Sequence, residues 1–343
     1  MKAAVLIACG APLKILEDIE APPPRAGEVF VRLAYAGVCH SQLMEVSGAR
    51  GPDRYLPHLL GHEGVGRVLA VGEGVTRVTP GDRVVLGWIK GRGLDAGGVT
   101  YRWRDTTLNA GAVTTFNTHA LVSENRCTLL PEGVSDAVGV LFGCAVPTGA
   151  GLALNEINPA PGASAAVFGL GGIGLTALMA LAGSGCDPVI AVDISPQKLA
   201  MARDCGATAV IDASREDPVT AIRALTGGQG ADYVIEAAGR VRTIEQGFDS
   251  TRKFGGVCVF ASHPPAGETL RIDPHDLLSG KVLRGTWGGA SAPERDIPRF
   301  AQMYLGGRLP LDRLLSAPYA LDEINQALAD LKSGGVFRPL IAL

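Results

Sequence analysis

A glycine-rich run placed between an apolar strand and a helix constrains this chain more than any other feature. Residues 169–174 read Gly-Leu-Gly-Gly-Ile-Gly and directly follow the apolar run Ala165–Phe168. The run fits the pattern G-x-G-x-x-G, and the apolar, Ala-rich segment 173–182 after it has the composition of a helix. A strand, a tight turn and a helix in this order predict one unit of a parallel sheet that binds a dinucleotide at its turn.

The positions within the turn carry separate physical requirements. Gly169 permits the sharp turn, Gly171 lets the backbone approach a pyrophosphate, and Gly174 allows close packing of helix on strand. Gly172 and Ile173 begin the helix, whose first N–H groups and positive dipole end favour phosphate. The alternative is a glycine-rich turn that binds no nucleotide.

An acidic residue closes the next predicted strand. Asp193 follows the apolar segment Val189–Val192, nineteen residues after Gly174. At this spacing its carboxylate would accept hydrogen bonds from the ribose hydroxyls of the adenosine. Its negative charge would repel a 2′-phosphate, so we expect NAD(H) rather than NADP(H).

The middle of the chain repeats the alternation of strand and helix. Apolar strands are expected at 165–168, 189–192, 209–211, 233–237, 257–261 and 282–285. Six strands separated by helix-length segments predict an α/β fold, a doubly wound parallel six-stranded Rossmann domain. We place this dinucleotide-binding domain at 148–287.

The flanking segments have a different character. Residues 1–147 are dense in glycine and proline and contain short β-type runs separated by turns, as at 29–33, 66–71 and 83–86. The tail shows an amphipathic helix near 321–332 and a return strand at 336–343. We therefore predict a β-rich catalytic domain formed by 1–147 and 288–343, into which the Rossmann domain is inserted.

Composition excludes several classes of function. With 31 Lys and Arg against 34 Asp and Glu, the net charge of −3 gives no reason to expect nucleic-acid or membrane binding. No apolar stretch reaches the length of a membrane span. Seven scattered cysteines in a chain of 343 residues indicate a reducing environment, so we expect a cytoplasmic protein.

Two short runs in the first third bring together possible metal ligands. Gly37–Ser41 contains Cys39, and Gly61–Gly66 contains His62 and Glu63. Zinc accepts sulfur, imidazole nitrogen and carboxylate oxygen, and a site with three protein ligands and one open position is catalytic. A third strong ligand would have to come from elsewhere, and Cys144 in Gly143–Gly149 is the candidate.

These motifs in this order resemble the zinc-dependent medium-chain dehydrogenase/reductase family of alcohol dehydrogenases, over nearly the whole chain. The resemblance implies a GroES-like catalytic domain and a zinc ion held by Cys39, His62 and Cys144. It also places Glu63 behind the metal, where it can exchange with water as a ligand. Around the cofactor it places His40 and Arg338 near the pyrophosphate, Lys198 near the ribose and Thr148 beside the nicotinamide.

The resemblance also implies a reaction. Zinc would act as a Lewis acid on the oxygen of a small-molecule alcohol or aldehyde, and hydride would move between its carbon and the nicotinamide C4. Ser41 matches the hydroxyl that bonds the substrate oxygen and passes its proton onward. Trp88 and Phe116 match positions in the wall of the substrate pocket, although ordinary core packing remains open for both. Trp287 lies near the predicted domain junction, where we expect it to line the outer pocket.

Three departures from the family pattern stand out. Gln42 occupies the place of an Asp that orients the zinc-bound histidine, and Met44 that of a histidine that completes a proton relay. The lobe at 90–109 lacks the four cysteines that bind a structural zinc in relatives. We therefore expect one zinc per chain and a lobe that reaches over the cleft or into a subunit contact.

Two other functions stay open at this point. The altered relay would suit an NAD(P)H-dependent reductase of an activated C=C or C=N bond, which makes no alkoxide. A non-catalytic nucleotide-binding sensor would use the same fold. Members of the family are usually dimers or tetramers, so a homodimer or homotetramer is expected.

Overall fold

The computed structural model describes residues 1–265 and 267–343, which form two compact units. The first, termed the β-rich unit, comprises Met1–Cys144, Ala292–Pro298 and Leu314–Leu343. The second, termed the Rossmann unit, comprises Ala145–Ser291 and Arg299–Arg313. The predicted domains were 1–147 with 288–343, and 148–287. The two units differ from these predicted domains at 145–147, 288–291 and 299–313, and the predicted boundaries remain a proposal.

The described residues form eighteen strands and ten α-helices. The strands are β1 (Ala3–Leu6), β2 (Lys14–Leu16), β3 (Glu28–Gly37), β4 (His58–Leu59), β5 (Gly64–Val71), β6 (Arg83–Leu86), β7 (Val99–Trp103), β8 (Thr106–Ala110), β9 (His119–Ser123), β10 (Cys127–Leu129), β11 (Ala165–Phe168), β12 (Val189–Asp193), β13 (Ala209–Asp212), β14 (Tyr233–Glu236), β15 (Val257–Phe260), β16 (Val282–Gly285), β17 (Leu315–Ala320) and β18 (Arg338–Ala342). The helices are α1 (His40–Ser47), α2 (Asp136–Gly139), α3 (Ala145–Gly151), α4 (Gly172–Gly183), α5 (Pro196–Asp204), α6 (Pro218–Leu225), α7 (Val241–Asp249), α8 (Pro274–Leu278), α9 (Pro293–Leu305) and α10 (Ile324–Ser333).

The β-rich unit is organised around the long strand β3. It pairs antiparallel with β5 along its length, and on its other side with β9 and then β18. Val29, Val31 and Leu33 alternate along β3 and are buried in a cluster with valines and leucines of β5 and β6. This two-residue period is what buries one face of the strand. Strand β3 ends at Gly37, two residues before Cys39, and α1 follows directly after Cys39.

The tail returns to the β-rich unit as predicted. In β18, Leu340 pairs with Gly37 and Ile341 with Ala36, which adds the last strand of the chain to the same sheet. Ile324, Leu328 and Leu331 of α10 are buried in a cluster with Leu6 and Val38. The amphipathic spacing of these residues explains the docking of the helix.

The lobe at 90–109 differs from the expectation of a loop. Its residues 99–103 and 106–109 belong to the hairpin β7–β8, which extends a five-stranded sheet of order β2-β1-β4-β8-β7. Val99, Tyr101 and Leu108 are buried in the core of this sheet, and the Tyr101 hydroxyl accepts a hydrogen bond from the backbone of Leu121. The buried face of the hairpin is therefore structural, and the expectation of a loop is wrong for these residues, whereas a reach over the cleft or into a subunit contact stays a prediction.

The Rossmann unit contains the predicted six-stranded parallel sheet, in the order β13-β12-β11-β14-β15-β16. The two central strands are β11 and β14, and their apolar side chains, such as Phe168 and Val234, share one buried cluster with Ile190 of the neighbouring β12. Helix α4 is buried along most of its length, as its almost wholly apolar sequence requires. The order of strands reverses at β11, where ligands bind in doubly wound sheets.

Within the described residues, no single helix is long and apolar enough to cross a bilayer. One bent pair, Asp136–Gly143 and Ala145–Ile157, meets the criterion by length and composition only. Most of its residues are buried in the fold.

Candidate metal centre and nucleotide site

Three residues that are distant in sequence converge in the β-rich unit. One ligand atom from each of Cys39, His62 and Cys144 lies within 4.8 Å of the others. Two sulfurs and one imidazole nitrogen form the Cys₂His set of catalytic zinc sites. The Nε2 atom of His62 is buried and has no hydrogen-bond partner among the described residues. A buried nitrogen left without a partner fits a metal ligand, since it would otherwise cost free energy.

Local backbone features place each of the three side chains. Cys39 is the extended residue that precedes α1, and Cys144 follows a 3₁₀ turn at Val140–Gly143. Gly61, directly before His62, has a φ of +90°, and a Cβ there would lie 2.3 Å from Oγ1 of Thr115. Only glycine fits this position, so Gly61 fixes the path that aims His62 at the two cysteines.

Glu63 lies in a space left by two glycines. A Cβ at Gly37 would approach its Oε1 to 2.7 Å, and a Cβ at Gly143 would approach its own Cβ to 2.8 Å. The side chain of Glu63 is fully buried, and its Oε1 lies 3.1 Å from Nη1 of Arg338. The buried Arg338 also donates to the carbonyl of Val38. Arg338, which the resemblance assigns to a pyrophosphate, therefore forms an ion pair with Glu63 in this structure.

The pKa values of the two thiols are shifted in opposite directions. A hydrogen bond with Cys144 holds the pKa of Cys39 well below its usual value, helped by the positive charge of Arg338. The same hydrogen bond, together with burial, raises the pKa of Cys144 well above its usual value. For His62, burial is the largest influence and disfavours the charged form, but the interactions with Cys39 and the negative charge of Glu63 together outweigh it and raise the pKa. The opposite shifts indicate that Cys39 ionises more readily than Cys144.

The first turn of α1 supplies the neighbours of His62. The amide Nε2 of Gln42 lies 2.6 Å from its Nδ1, and Oε1 of Gln42 accepts a hydrogen bond from the backbone N–H of Cys39. The Ser41 hydroxyl lies 3.5 Å from the same Nδ1. His40 is exposed at the start of the helix, and Met44 is half-buried. The structure therefore brings Ser41 and Gln42 to the cluster.

The two aromatic residues assigned to the pocket wall lie in different environments. Trp88 is half-buried directly after β6, and its backbone carbonyl accepts a hydrogen bond from Arg126. Phe116 is completely buried in the core with Leu6 and Val38, and its ring limits the space at Gly61. The position of Phe116 shows a packing role. Contact of Trp88 or Phe116 with substrate stays a prediction.

In the Rossmann unit, the glycine turn has the predicted geometry. Gly169 has a φ of +84°, and a Cβ there would lie 2.5 Å from the backbone nitrogen of Ala238. A Cβ at Gly174 would lie 1.8 Å from the carbonyl oxygen of Gly169. A Cβ at Gly171 would meet open space, and this residue directly precedes α4 without providing a side-chain cap. As in any helix, the first N–H groups, here those of Gly172 and Ile173, have no partner within the helix, and their binding of a phosphate stays a prediction.

The end of β12 is tied to this turn by Asp193. Its Oδ2 accepts a hydrogen bond from the backbone N–H of Leu170, and its Oδ1 accepts from Ile194 and Ser195. The Nζ of Lys198 lies 4.0 Å from Oδ2. The carboxylate thus positions the glycine turn and stands at the strand end predicted to meet a ribose.

Two further predicted residues belong to the Rossmann unit. Thr148 in α3 is buried, and its hydroxyl oxygen has no hydrogen-bond partner among the described residues. Trp287 is 73% exposed and packs edge to face against His263, with 5.1 Å between ring centroids. Their roles at a nicotinamide or a substrate remain predictions.

Glu236 is a residue of this region that the sequence reasoning missed. It is buried at the end of β14 and accepts hydrogen bonds from the backbone of Ala238 and Gly239. Because Ala238 packs against Gly169, the carboxylate supports the glycine turn from the neighbouring strand. The sequence could have indicated this role, because Glu236 is an acidic residue at the end of an apolar strand, next to the place where the order of strands reverses.

Comparison with known proteins gives one family. The alcohol dehydrogenase GroES-like domain matches residues 25–132, and the zinc-binding dehydrogenase domain matches 172–304. Alcohol dehydrogenase class-3 of Myxine glutinosa is 32% identical, in an alignment that covers 100% of this chain and 97% of that protein.

Solved structures agree with this result. The alcohol dehydrogenase zinc-binding domain protein from Burkholderia ambifaria has a TM-score of 0.92 and 35% identity, over 100% of this chain and 98% of that one. Benzyl alcohol dehydrogenase from Acinetobacter calcoaceticus has a TM-score of 0.91 and 31% identity, over 100% and 99% of the two chains. The chain therefore belongs to the zinc-dependent alcohol dehydrogenase family of medium-chain dehydrogenases and reductases.

Proposed function

We propose that this protein is a zinc-dependent, NAD(H)-linked alcohol dehydrogenase or aldehyde reductase that uses one catalytic zinc per chain. The observation that carries the proposal is the convergence of Cys39, His62 and Cys144 within 4.8 Å. Retention of all three candidate ligands favours chemistry at a substrate oxygen over reduction of a C=C or C=N bond. The small-molecule substrate would be an alcohol or its aldehyde.

The chain's own residues have distinct tasks in this reaction. When bound, zinc would supply Lewis-acid polarisation of the substrate oxygen, and NAD(H) would accept or supply hydride. Cys39, His62 and Cys144 would hold the metal, and Glu63 would stand behind it. The Ser41 hydroxyl, near His62, would exchange the proton of the substrate oxygen. From there the proton would pass to water, a ribose hydroxyl or His40, because Met44 cannot carry it.

The nucleotide would be held by the glycine turn and the end of β12. The N–H groups at the start of α4 would receive the pyrophosphate. Asp193, with Lys198 beside it, would accept hydrogen bonds from the ribose hydroxyls. The negative charge of Asp193 would exclude the 2′-phosphate of NADP(H). Thr148 would pack by the nicotinamide, and Arg338 and His40 would act on the pyrophosphate side.

Gln42 presents a conflict that follows from its contacts. An amide nitrogen only donates, so the 2.6 Å contact with Nδ1 of His62 favours the tautomer with its proton on Nε2. Metal binding through Nε2 requires the proton on Nδ1 instead, which then faces a second donor. Turning the amide over would place its NH₂ group against the N–H of Cys39. One neutral amide therefore cannot satisfy both neighbours, whereas a carboxylate could accept from both.

The reaction itself is tested by metal analysis and a substrate screen. We expect about one zinc per chain, and NAD⁺ reduction with primary, secondary or aromatic alcohols that stops when zinc is removed and returns when it is restored. NADH should support turnover far better than NADPH. Activity that survives complete loss of zinc, or turnover confined to enones and iminium compounds, would contradict the proposal.

A second prediction concerns Gln42. The nearly isosteric Gln42→Glu should raise zinc affinity by about tenfold or more, because its carboxylate accepts from both Cys39 and His62. Gln42→Met, which removes the donor without adding charge, should bind zinc at least as tightly as the wild type. Chelator competition measures both affinities, and Gln302→Glu, at an exposed position of α9, is the matched control. Weaker zinc binding by both variants would show that the amide assists the metal.

The glycine turn gives a third prediction. Gly171→Ala should fold with unchanged stability but bind NADH about tenfold more weakly, a loss of ~1.4 kcal/mol, because its methyl group enters the space meant for pyrophosphate. Gly174→Ala should lower the free energy of unfolding by about 1–3 kcal/mol, since its Cβ meets the carbonyl of Gly169. Fluorescence titration and denaturant unfolding separate the two effects. Equal NADH affinity in wild type and Gly171→Ala would remove the turn from the nucleotide site.

A fourth prediction concerns assembly. We propose a homodimer or homotetramer in which β16, the edge strand of the Rossmann sheet, takes part. Leu278 and Phe254 are 80% and 79% exposed, and Phe254 bonds through its backbone to Ser279 beside Leu278. Light scattering should give a dimer or tetramer, and Leu278→Asp should reduce its size. A wild-type monomer at micromolar concentration would overturn the assignment.

A further inference from the structure

Three arginines stand in one row across adjacent strands of the β-rich unit. Arg32 of β3 is directly opposite Arg67 of β5, and Arg67 is directly opposite Arg83 of β6. His119 of β9 continues the row on the other side of Arg32. Residues paired in this way project from the same face of a sheet, with Cβ atoms about 4.5–5.5 Å apart. The row therefore concentrates positive charge on one face.

The surrounding residues neutralise only part of this charge. Arg83 pairs with Asp136, and the Arg67 guanidinium donates to the carbonyl of Gly81. Among the described residues, the Arg32 guanidinium has no hydrogen-bond or ion-pair partner. Burial, the N-terminal amine and Arg32 together lower the pKa of His119, which agrees with a positive local field. Like charges directly opposite one another destabilise a sheet, so the row carries a cost that folding does not explain.

The row lines a groove rather than a flat surface. A cavity of about 230 Å³ is bounded by the three arginines with Leu33, Ala34, Gly66 and Asp136. None of the residues that line the groove belongs to the metal cluster or to the nucleotide turn.

We propose that this groove binds a small anion bearing a phosphate group, as a site separate from the catalytic one. The planar fork of each guanidinium matches two phosphate oxygens at once, and arginine is the residue that favours such bidentate contacts. The chain's net charge of −3 makes this basic row a local exception and disfavours long polyanions as ligands. Asp136 sets one end of the groove and restricts the anion to the Arg32–Arg67 side. This inference does not depend on the proposed dehydrogenase function.

Thermal unfolding with and without phosphate compounds tests the site. At constant ionic strength, pyrophosphate and glycerol phosphate should raise Tm by about 2–4 °C relative to chloride. The measurement is made with saturating NADH as well as without it, because pyrophosphate could also occupy the nucleotide turn. The part of the shift that persists with NADH should disappear in Arg67→Leu and in Arg32→Gln. Arg50→Leu, which removes an exposed arginine of the same unit outside the row, should keep it.

Stability without ligand gives an independent readout. In low-salt chloride buffer, Arg67→Leu should unfold at a higher temperature than Arg50→Leu, because it relieves repulsion with both neighbours. A pyrophosphate shift of equal size in Arg67→Leu and wild type, or no shift beyond chloride at matched ionic strength, would overturn the proposal. A shift with inorganic pyrophosphate but none with glycerol phosphate would identify the free anion as the ligand and support the site.

Discussion

The carboxylate of Glu63 is fully buried and lies 3.1 Å from a guanidinium nitrogen of Arg338, and the arrangement of the metal cluster depends on this ion pair. Glu63 follows His62 in sequence, while Arg338 begins the last strand of the chain and donates to the carbonyl before Cys39. The pair therefore connects the N-terminal and C-terminal parts of the β-rich unit at the cluster. Removing either partner would leave an uncompensated buried charge, which costs several kcal/mol, about 3–5 in comparable cases.

Sequence alone was sufficient where one local rule determined the structure. The strands of the Rossmann unit are short apolar runs between helices, so periodicity located all six of them. The turn at Gly169 and Gly174 was predictable because only glycine tolerates its φ angle and its close contacts. The grouping of Cys39, His62 and Cys144 came from the resemblance, since nothing in the spacing between residues 62 and 144 defines a contact.

Sequence was insufficient where side chains from distant segments compete for the same space or partner. The hairpin of β7 and β8 was missed because its glycine-rich surroundings indicated a loop, whereas Tyr101 and Leu108 are buried against residues of β1, β2 and β4, which lie far away in sequence. The ion pair of Arg338 with Glu63 spans most of the chain, so no local pattern reports it. The row of Arg32, Arg67 and Arg83 depends on strand register, which becomes visible only once β3, β5 and β6 are paired.

The charge balance of the cluster gives a physical meaning to Gln42. Without a cation, two buried sulfurs cannot both be ionised, and the opposite pKa shifts of Cys39 and Cys144 express this limit. A divalent cation would offset two thiolates, and Arg338 already offsets Glu63, so a neutral residue at position 42 leaves the whole centre without net charge. A carboxylate there would hold His62 better but would add a negative charge beside the substrate oxygen. In the proposed reaction that oxygen would gain negative charge, so the proposal implies that a neutral amide trades metal affinity for stabilisation of the reacting group.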